Sequence, residues 1–406
     1  MEFLSSRSNR IVFIWILITL SISPAFATDP IDNRNYLLIG SMFLGPIIVL
    51  FSGKFLPKFD MPIFGLIILI LILQIGFHWT TVKWTSCLFS FMFMVYFLAG
   101  IRTFIYGKFT PEQLKSILKY LIIAYAIVLL IQQFCTLTGL PVINQLSDYG
   151  EKVNRWKLNS LSPEPSHTAR YLGLLMYMFL ITNDWIEKRK ISITQSYKKN
   201  KIEWLAFLWV MLTMMSGTAM IILALIITRY IRRKNIISIA CIIGLIIVLG
   251  VILDFVPLQR STNFLQATVT GDTKSMIATD HSASIRIVPT LLCLSRINPF
   301  SLNGWIGEGM GSTSIWMSHY MPGVPQGWSG GAMANYVLEN GMIIGLYFLI
   351  YSFQLCVDKR YKLVTFGFWI MCIVLIGVNT QIGWLCMLVL TISKKLRVNN
   401  ANTCIL

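Results

Sequence analysis

PLQRSTNFLQATVTGDTKSMIATDHSASIRIVPTLLCLSRINPFSLNGWIGEGMGSTSIWMSHYMPGVPQGWS, residues 257–329, is the longest part of this chain that a bilayer interior cannot hold. It carries Arg260, Asp272, Lys274, Asp280, His281, Arg286, Arg296, Glu308 and His319, with Gly304, Gly307, Gly309 and Gly311 among them. Apolar runs flank it on both sides. A hydrophilic segment of this size between such runs must sit in water on one face of a membrane. Loops set on a rigid scaffold are also where chemistry concentrates. Reading the stretch as an excursion from a bilayer makes the rest of the chain a scaffold of spans.

Composition supports that reading. Of 406 residues, 55% are hydrophobic and only 13% charged, the balance of a polytopic membrane protein. A net charge of +17 would point to nucleic acid in a soluble protein. Here the basic residues fall in short clusters between apolar runs, where they act as orientation signals, so nucleic acid is not expected as a partner. The eight cysteines form no CxxC and no His/Cys spacing for zinc. Most lie in or beside apolar runs and read as small core residues, so neither a metal nor a disulfide framework is expected. Gly307-Glu-Gly-Met-Gly311 lacks GxGxxG spacing and no Walker A motif is present, so no nucleotide cofactor is implied. Those glycines instead allow bare backbone close to a ligand.

Arg7 and Arg10 precede an apolar run at 11–22, which ends at Ser23-Pro24-Ala25-Phe26-Ala27. That small-residue ending is readable as a signal-peptide cleavage site or as the end of a first span. Further runs at 36–51, 62–78, 86–101, 120–137 and 167–182 are each near the length that crosses about 30 Å of hydrocarbon. The run at 204–230 suits one long helix or two short ones. A single helix would put Lys198-Lys199 and Arg232-Arg233 on opposite faces, which the positive-inside rule disfavours, so the chain is expected to turn at Ser216-Gly217-Thr218. The same argument makes 364–392 a hairpin about Asn379-Thr380-Gln381. The fold expected is all-α: a polytopic inner-membrane helical bundle of about twelve spans with both termini cytoplasmic. Residues 1–138 hold the N-terminal spans and 139–166 a first outer loop. Residues 167–254 hold the central spans, 255–329 the large outer loop, and 330–406 the last spans and a cytoplasmic tail. With this topology the outer segments balance acid against base, and the whole excess of +17 lies inside.

The outer segments gather Arg155, Glu164 and Arg170 in the first loop and Arg260, Arg286 and Arg296 in the second; all four histidines, His78, His167, His281 and His319, join them. Arginine forks suit a bidentate grip on phosphate or diphosphate. Membrane lipid headgroups are the competing occupant. In Leu161-Ser-Pro-Glu-Pro-Ser-His-Thr-Ala-Arg170, two prolines pin Glu164 in a non-helical approach, with Ser166 placed to cap the helix that follows. A carboxylate held there is a candidate base or substrate anchor. The plainer alternative is that Glu164 and Ser166 satisfy free backbone amides.

Four motifs in this order resemble the superfamily of O-antigen polymerases (Wzy-type) and O-antigen ligases. They are Pro163-Glu-Pro-Ser-His-Thr-Ala169 entering a span, and Met215-Ser-Gly-Thr218 at a helix junction. Then come Ser282-Ala-Ser-Ile-Arg286 with the later Gly307-x-Gly309-x-Gly311 turn, and Asn335-Tyr-Val-Leu-Glu-Asn-Gly341 opening the span after the large loop. The resemblance covers residues 154–349. It implies a metal-independent, GT-C-like membrane glycosyltransferase of O-antigen, lipopolysaccharide or capsule biosynthesis, working without a cofactor. Its substrate would be undecaprenyl-diphosphate-linked oligosaccharide repeats, joined on the periplasmic face, with a chain-length regulator and a flippase as expected partners. The resemblance implies Arg286 for the diphosphate, with Arg155, Arg170 and Arg296 adding charge; for the proton, Glu164 leads and His319 follows. Ligases of this superfamily carry a histidine just before the span that opens like Asn335 to Gly341. Gly330-Gly331 stand there instead, which favours a polymerase. A lipid-linked oligosaccharide flippase is the alternative, but it would need charge inside several spans and only short loops.

Overall fold

The computed structural model describes residues 3–24, 35–144, 158–214, 216–230, 266, 273–279, 281–321, 324 and 326–396; for residues 281–283 and 286 this covers the backbone alone. The helices are α1 (Ser6–Ser21), α2 (Tyr36–Phe43), α3 (Gly45–Phe51), α4 (Pro57–Phe77), α5 (Trp84–Gly107), α6 (Pro111–Thr138), α7 (Pro165–Ile186), α8 (Ile193–Lys199), α9 (Lys201–Thr213) and α10 (Gly217–Thr228). Beyond them come α11 (Thr273–Thr279), α12 (His281–Arg296), α13 (Leu302–Ile306), α14 (Thr313–Tyr320), α15 (Met333–Cys356), α16 (Lys362–Trp369) and α17 (Gln381–Lys395). Among the described residues there is no strand. Among the described residues four helices, α4, α5, α6 and α15, are long and apolar enough to cross a membrane.

Two shorter-lived patterns in the sequence decide the centre. α7 is buried on every side from Thr168 to Asp184, and α17 likewise from Ile382 to Ser393. A helix apolar all round has no face to give to solvent or lipid and belongs inside. The two pack on each other, with α6, α9 and α10 around α7, and α1, α5 and α15 around α17. α1 is part of this core: Phe13, Ile16 and Leu17 are fully buried, Thr19 Oγ1 lies 2.7 Å from Tyr96 Oη, and the Tyr125 hydroxyl donates to the Ser21 carbonyl. Outward-facing side chains such as Ile68, Ile72, Ile127 and Ile350 are exposed, as expected of helices bathed in lipid.

Both expected reversals are present. The run at 204–230 breaks between α9 and α10, and both outer ends return to the C-terminal end of α7. Lys199 at the start meets Glu187 at 2.5 Å and Arg229 at the finish meets Asp184 at 2.5 Å. The hydrogen bond from Lys199 holds the Glu187 carboxyl below its ordinary range. The run at 364–392 breaks after a π-helical turn at Ile370–Val374. α17 then runs back, so that Lys394 Nζ donates to the carbonyls of Gln354 (2.6 Å) and Val357 (3.0 Å) at the end of α15. One run departs from expectation: 36–51 is two helices, broken at Leu44. Pro46 cannot donate an N–H, so its position suits the first turn of a new helix better than a helix interior.

The bundle therefore has a basic end and an opposite end. At the basic end ionised groups are buried in pairs. Arg102 bonds both Asp60 oxygens, at 2.6 and 3.2 Å, and the Val49 carbonyl. Asp184 accepts from Arg229, from the Tyr361 hydroxyl at 2.6 Å and from the Ile191 N–H at 3.0 Å.

At the opposite end the glycine-rich turn finds its partner in another backbone rather than in open space. α15 is kinked at Gly341, whose φ of +85° suits glycine. Into the kink runs 307–309: Glu308 N–H donates to Leu338 O at 2.9 Å and Gly309 N–H to Glu339 O at 3.0 Å. A Cβ on Gly341 would stand 2.1 Å from the Trp305 carbonyl oxygen, and one on Gly307 2.5 Å from that of Glu339. Gly307 and Gly341, one from each of two motifs, are thus explained by one close backbone crossing, while a Cβ on Gly309 or Gly311 would instead meet the side chains of His78 and Lys83.

Candidate functional site

At the end of the bundle away from the basic clasps is a cavity of about 410 Å³. Its walls come from the end of α1, the start of α2, α5, the entrance to α7, α12, the segment before α15 and the turn before α17. The polar groups on it include Glu164, His167, Tyr171, Asn35, Thr380 and Gln381, with Ser23 and Asn379 beside them; Phe89, Phe93, Ile285, Trp328 and Ile376 supply much of the rest. A largely apolar cleft with a few convergent polar groups is the ordinary form of a ligand site.

The entrance to α7 is fixed by a buried hydrogen-bond network. Gln132 of α6 donates to Asn159 Oδ1 at 3.0 Å and accepts from the Ser160 N–H at 2.8 Å. Ser160 Oγ donates to the Tyr125 carbonyl at 2.7 Å, Asn159 Nδ2 to the Ser162 carbonyl at 2.6 Å, and Ser162 Oγ to the Glu164 carbonyl at 2.8 Å. This stack holds residues 159–164 extended against α6 and delivers Glu164 as the residue before the helix, with Pro165 in its first turn. Sequence reasoning placed Ser166 at the cap. The helix begins earlier, because Pro165 fits the position whose N–H needs no partner.

Glu164 is the N-cap by position but not by function: its side chain makes no cap bond to the helix backbone. Its Oε2 accepts from Ser166 Oγ at 3.1 Å, and the half-buried carboxylate lines the cavity. Across the cavity a second network ties three elements. Ser23 Oγ and Asn35 Nδ2 donate to Gln381 Oε1 at 2.9 and 3.2 Å, and Gln381 Nε2 donates to the carbonyls of Thr19 and Ile22.

A smaller cavity of about 190 Å³ adjoins the first and shares Phe89, Gly330, Gly331, Asn379 and Thr380 with it. Lys83, Asn335 and Glu339 stand on its wall. Glu339 is buried and accepts from the Thr313 hydroxyl at the start of α14, pinning that helix to α15. Its partners make it a fastening of the large loop, a role that sequence reasoning did not assign.

The six candidate residues are not all brought together. Glu164 is on the larger cavity. Ile285 of α12 is on it too, so the backbone of Arg286 is one residue from the wall; the Arg286 side chain and all of Arg155 lie outside the described residues. Arg170 is 2% exposed and turned away, with Nε on the Met371 carbonyl at 3.2 Å and Nη1 on the Ser166 carbonyl at 3.1 Å. Arg296 and His319 meet each other's neighbourhood but not the cavity. Arg296 lies 3.5 Å over the Trp316 ring, and the exposed His319 has Nδ1 3.3 Å from the Trp316 carbonyl oxygen. His167 and Tyr171 were missed. Part of their signal was in the sequence as spacing, since 167 and 171 lie one turn apart on the helix that Glu164 precedes.

No protein-family model, curated protein or solved structure matches the chain.

Proposed function

We propose that this protein is a polysaccharide polymerase that joins undecaprenyl-diphosphate-linked oligosaccharide repeats at the outer face of a bacterial inner membrane. In this reading the bundle crosses the membrane about twelve times, with the basic end in the cytoplasm. The observation that carries it is Glu164: a carboxylate with no cap bond to its helix, on the wall of a cavity to which both polar excursions contribute. The acceptor sugar hydroxyl attacks the anomeric carbon of the growing chain. The bond from that carbon to the lipid diphosphate breaks, and the diphosphate leaves with the electron pair. Glu164 takes the hydroxyl proton. Arg286 and Arg155 neutralise the departing diphosphate, as guanidinium forks do best. Arg170 acts from behind, holding the first turn of α7 through the Ser166 carbonyl, and Arg296 and His319 belong to the outer rim. The buried charges at the other end favour an enzyme over a flippase, because Asp60, Arg102, Asp184 and Arg229 are bound to one another rather than lining a path.

Gene deletion followed by electrophoresis of surface polysaccharide tests the reading. A polymerase leaves a core carrying one repeat. A core carrying none points to a ligase or flippase, and an unchanged ladder rejects all three.

A further inference from the structure

The structure sorts the histidines that the sequence could only group. His319 is exposed on α14, and His78 sits at the end of α4 with Nε2 buried and unbonded. The His281 side chain lies outside the described residues. His167 alone among the three described lines the larger cavity, together with Glu164 and Tyr171. Its backbone N–H donates to the Glu164 carbonyl at 3.0 Å, closing the first turn of α7 directly behind the carboxylate-bearing residue. Its ring meets that of Tyr171 edge to face, with centroids 6.4 Å apart.

We propose that His167 is the proton relay of this site, receiving from Glu164 the proton taken from the acceptor hydroxyl and passing it to water. The purpose of the pair rests on the glycosyl-transfer reading; its electrostatic coupling does not. The step balances without any other reactant. The hydroxyl O–H bond breaks as the new glycosidic C–O bond forms, and the lipid diphosphate carries off the electron pair of the bond it loses. The proton moves to the carboxylate, then to a ring nitrogen, then to solvent. Imidazole suits the last transfer because an ordinary one titrates near about 6.5, between a carboxylate and water at neutral pH.

Among the described residues, these titratable and polar groups stand around it. On its own helix they are Glu164, Tyr171 and Arg170, the last turned to the Ser166 and Met371 carbonyls. Asn35, Asn379, Thr380 and Gln381 face it across the cavity without charge. Tyr125 of α6 and Cys372 act on Tyr171 rather than on the imidazole by any contact shown, and α12 brings the backbone of Arg286 beside Ile285 on the cavity wall.

The test uses the purified full-length protein in phospholipid nanodiscs, with diethyl pyrocarbonate as the probe and mass spectrometry reading modification of His167 against pH. A neighbouring carboxylate favours the imidazolium and so raises its midpoint. Glu164→Gln is therefore expected to lower the midpoint, with at least a threefold change in the protonated-to-neutral ratio, and Glu164→Asp to restore most of it. The exposed His319 in the same samples is the reference for reagent dose, and a circular dichroism spectrum of each variant reports that the fold is intact. An unreactive His167, or the same midpoint in wild type and Glu164→Gln, overturns the coupling. In membranes holding their own accumulated lipid-linked repeats, His167→Gln is expected to slow chain growth at least tenfold, and added imidazole to recover part of it. Slowing without rescue overturns the relay. A normal ladder after gene deletion sinks the polymerase reading while leaving the midpoint shift standing, so the two failures are told apart.

Discussion

One helix carries a carboxylate at each end, and the two are treated in opposite ways. At the basic end of α7, Asp184 is 2% exposed and accepts from Arg229, Tyr361 and the Ile191 amide. At the other end Glu164 is half-buried, accepts from Ser166 and lines a cavity. A buried ion that has used its lone pairs on fixed donors is a fastening, because changing its charge strands its partners. A carboxylate on a cavity wall can take up a proton and give it back. The difference separates structural charge from chemical charge within a single element, where composition sees only two acidic residues.

Substitutions at the two ends sharpen the contrast. Glu164→Ala is expected to cut polymer synthesis by about 100-fold or more, the usual worth of a positioned acid–base group, with the protein still in the membrane. Surface polysaccharide gels beside an immunoblot of membranes measure both. Arg286→Ala is expected to match it. Asp184→Ala should do the reverse, lowering stability by about 3–5 kcal/mol by leaving Arg229 buried and unpaired, and so lowering abundance before activity per molecule. Thermal melting in detergent reads that effect, and an unchanged melt alongside lost activity would break the comparison. Gly341→Ala forces a Cβ against the Trp305 carbonyl at a positive φ, and a loss of about 1–3 kcal/mol is expected in the same melt. Arg296→Ala removes one exposed stacking contact on Trp316, about 0.5–1 kcal/mol, and should leave ladder length unchanged.

Much of the scaffold was legible in the sequence because charge and hydropathy act over whole segments. The two hairpins followed from where basic clusters must lie, and Lys199, Arg229 and Lys394 return to the places that argument requires. Local breaks were harder. Pro46 splits 36–51 by one missing donor in an otherwise apolar run, a signal too small for a window of residues to register. The site was legible in part. Glu164 stood out because prolines bracket it, whereas Arg170 looked equally available and is in fact turned into the bundle. Nothing in its spacing says that the Met371 carbonyl, 201 residues away in a π-helical turn, will receive it. His167 shows the converse failure, since the sequence grouped it with the other histidines and only the cavity distinguishes it from His319. The Gly307–Gly311 turn was read as bare backbone allowed close to a ligand; its Gly307 makes its close approach to the backbone of α15, and its Gly311 lies on the wall of the smaller cavity.

The central claim is that the cavity end of α7 performs glycosyl transfer through Glu164. It is tested most directly in a strain lacking the chain and re-supplied with Glu164→Gln at wild-type membrane level. The account predicts a surface core bearing a single repeat, indistinguishable from the strain with nothing re-supplied. A full-length ladder from that variant would contradict it.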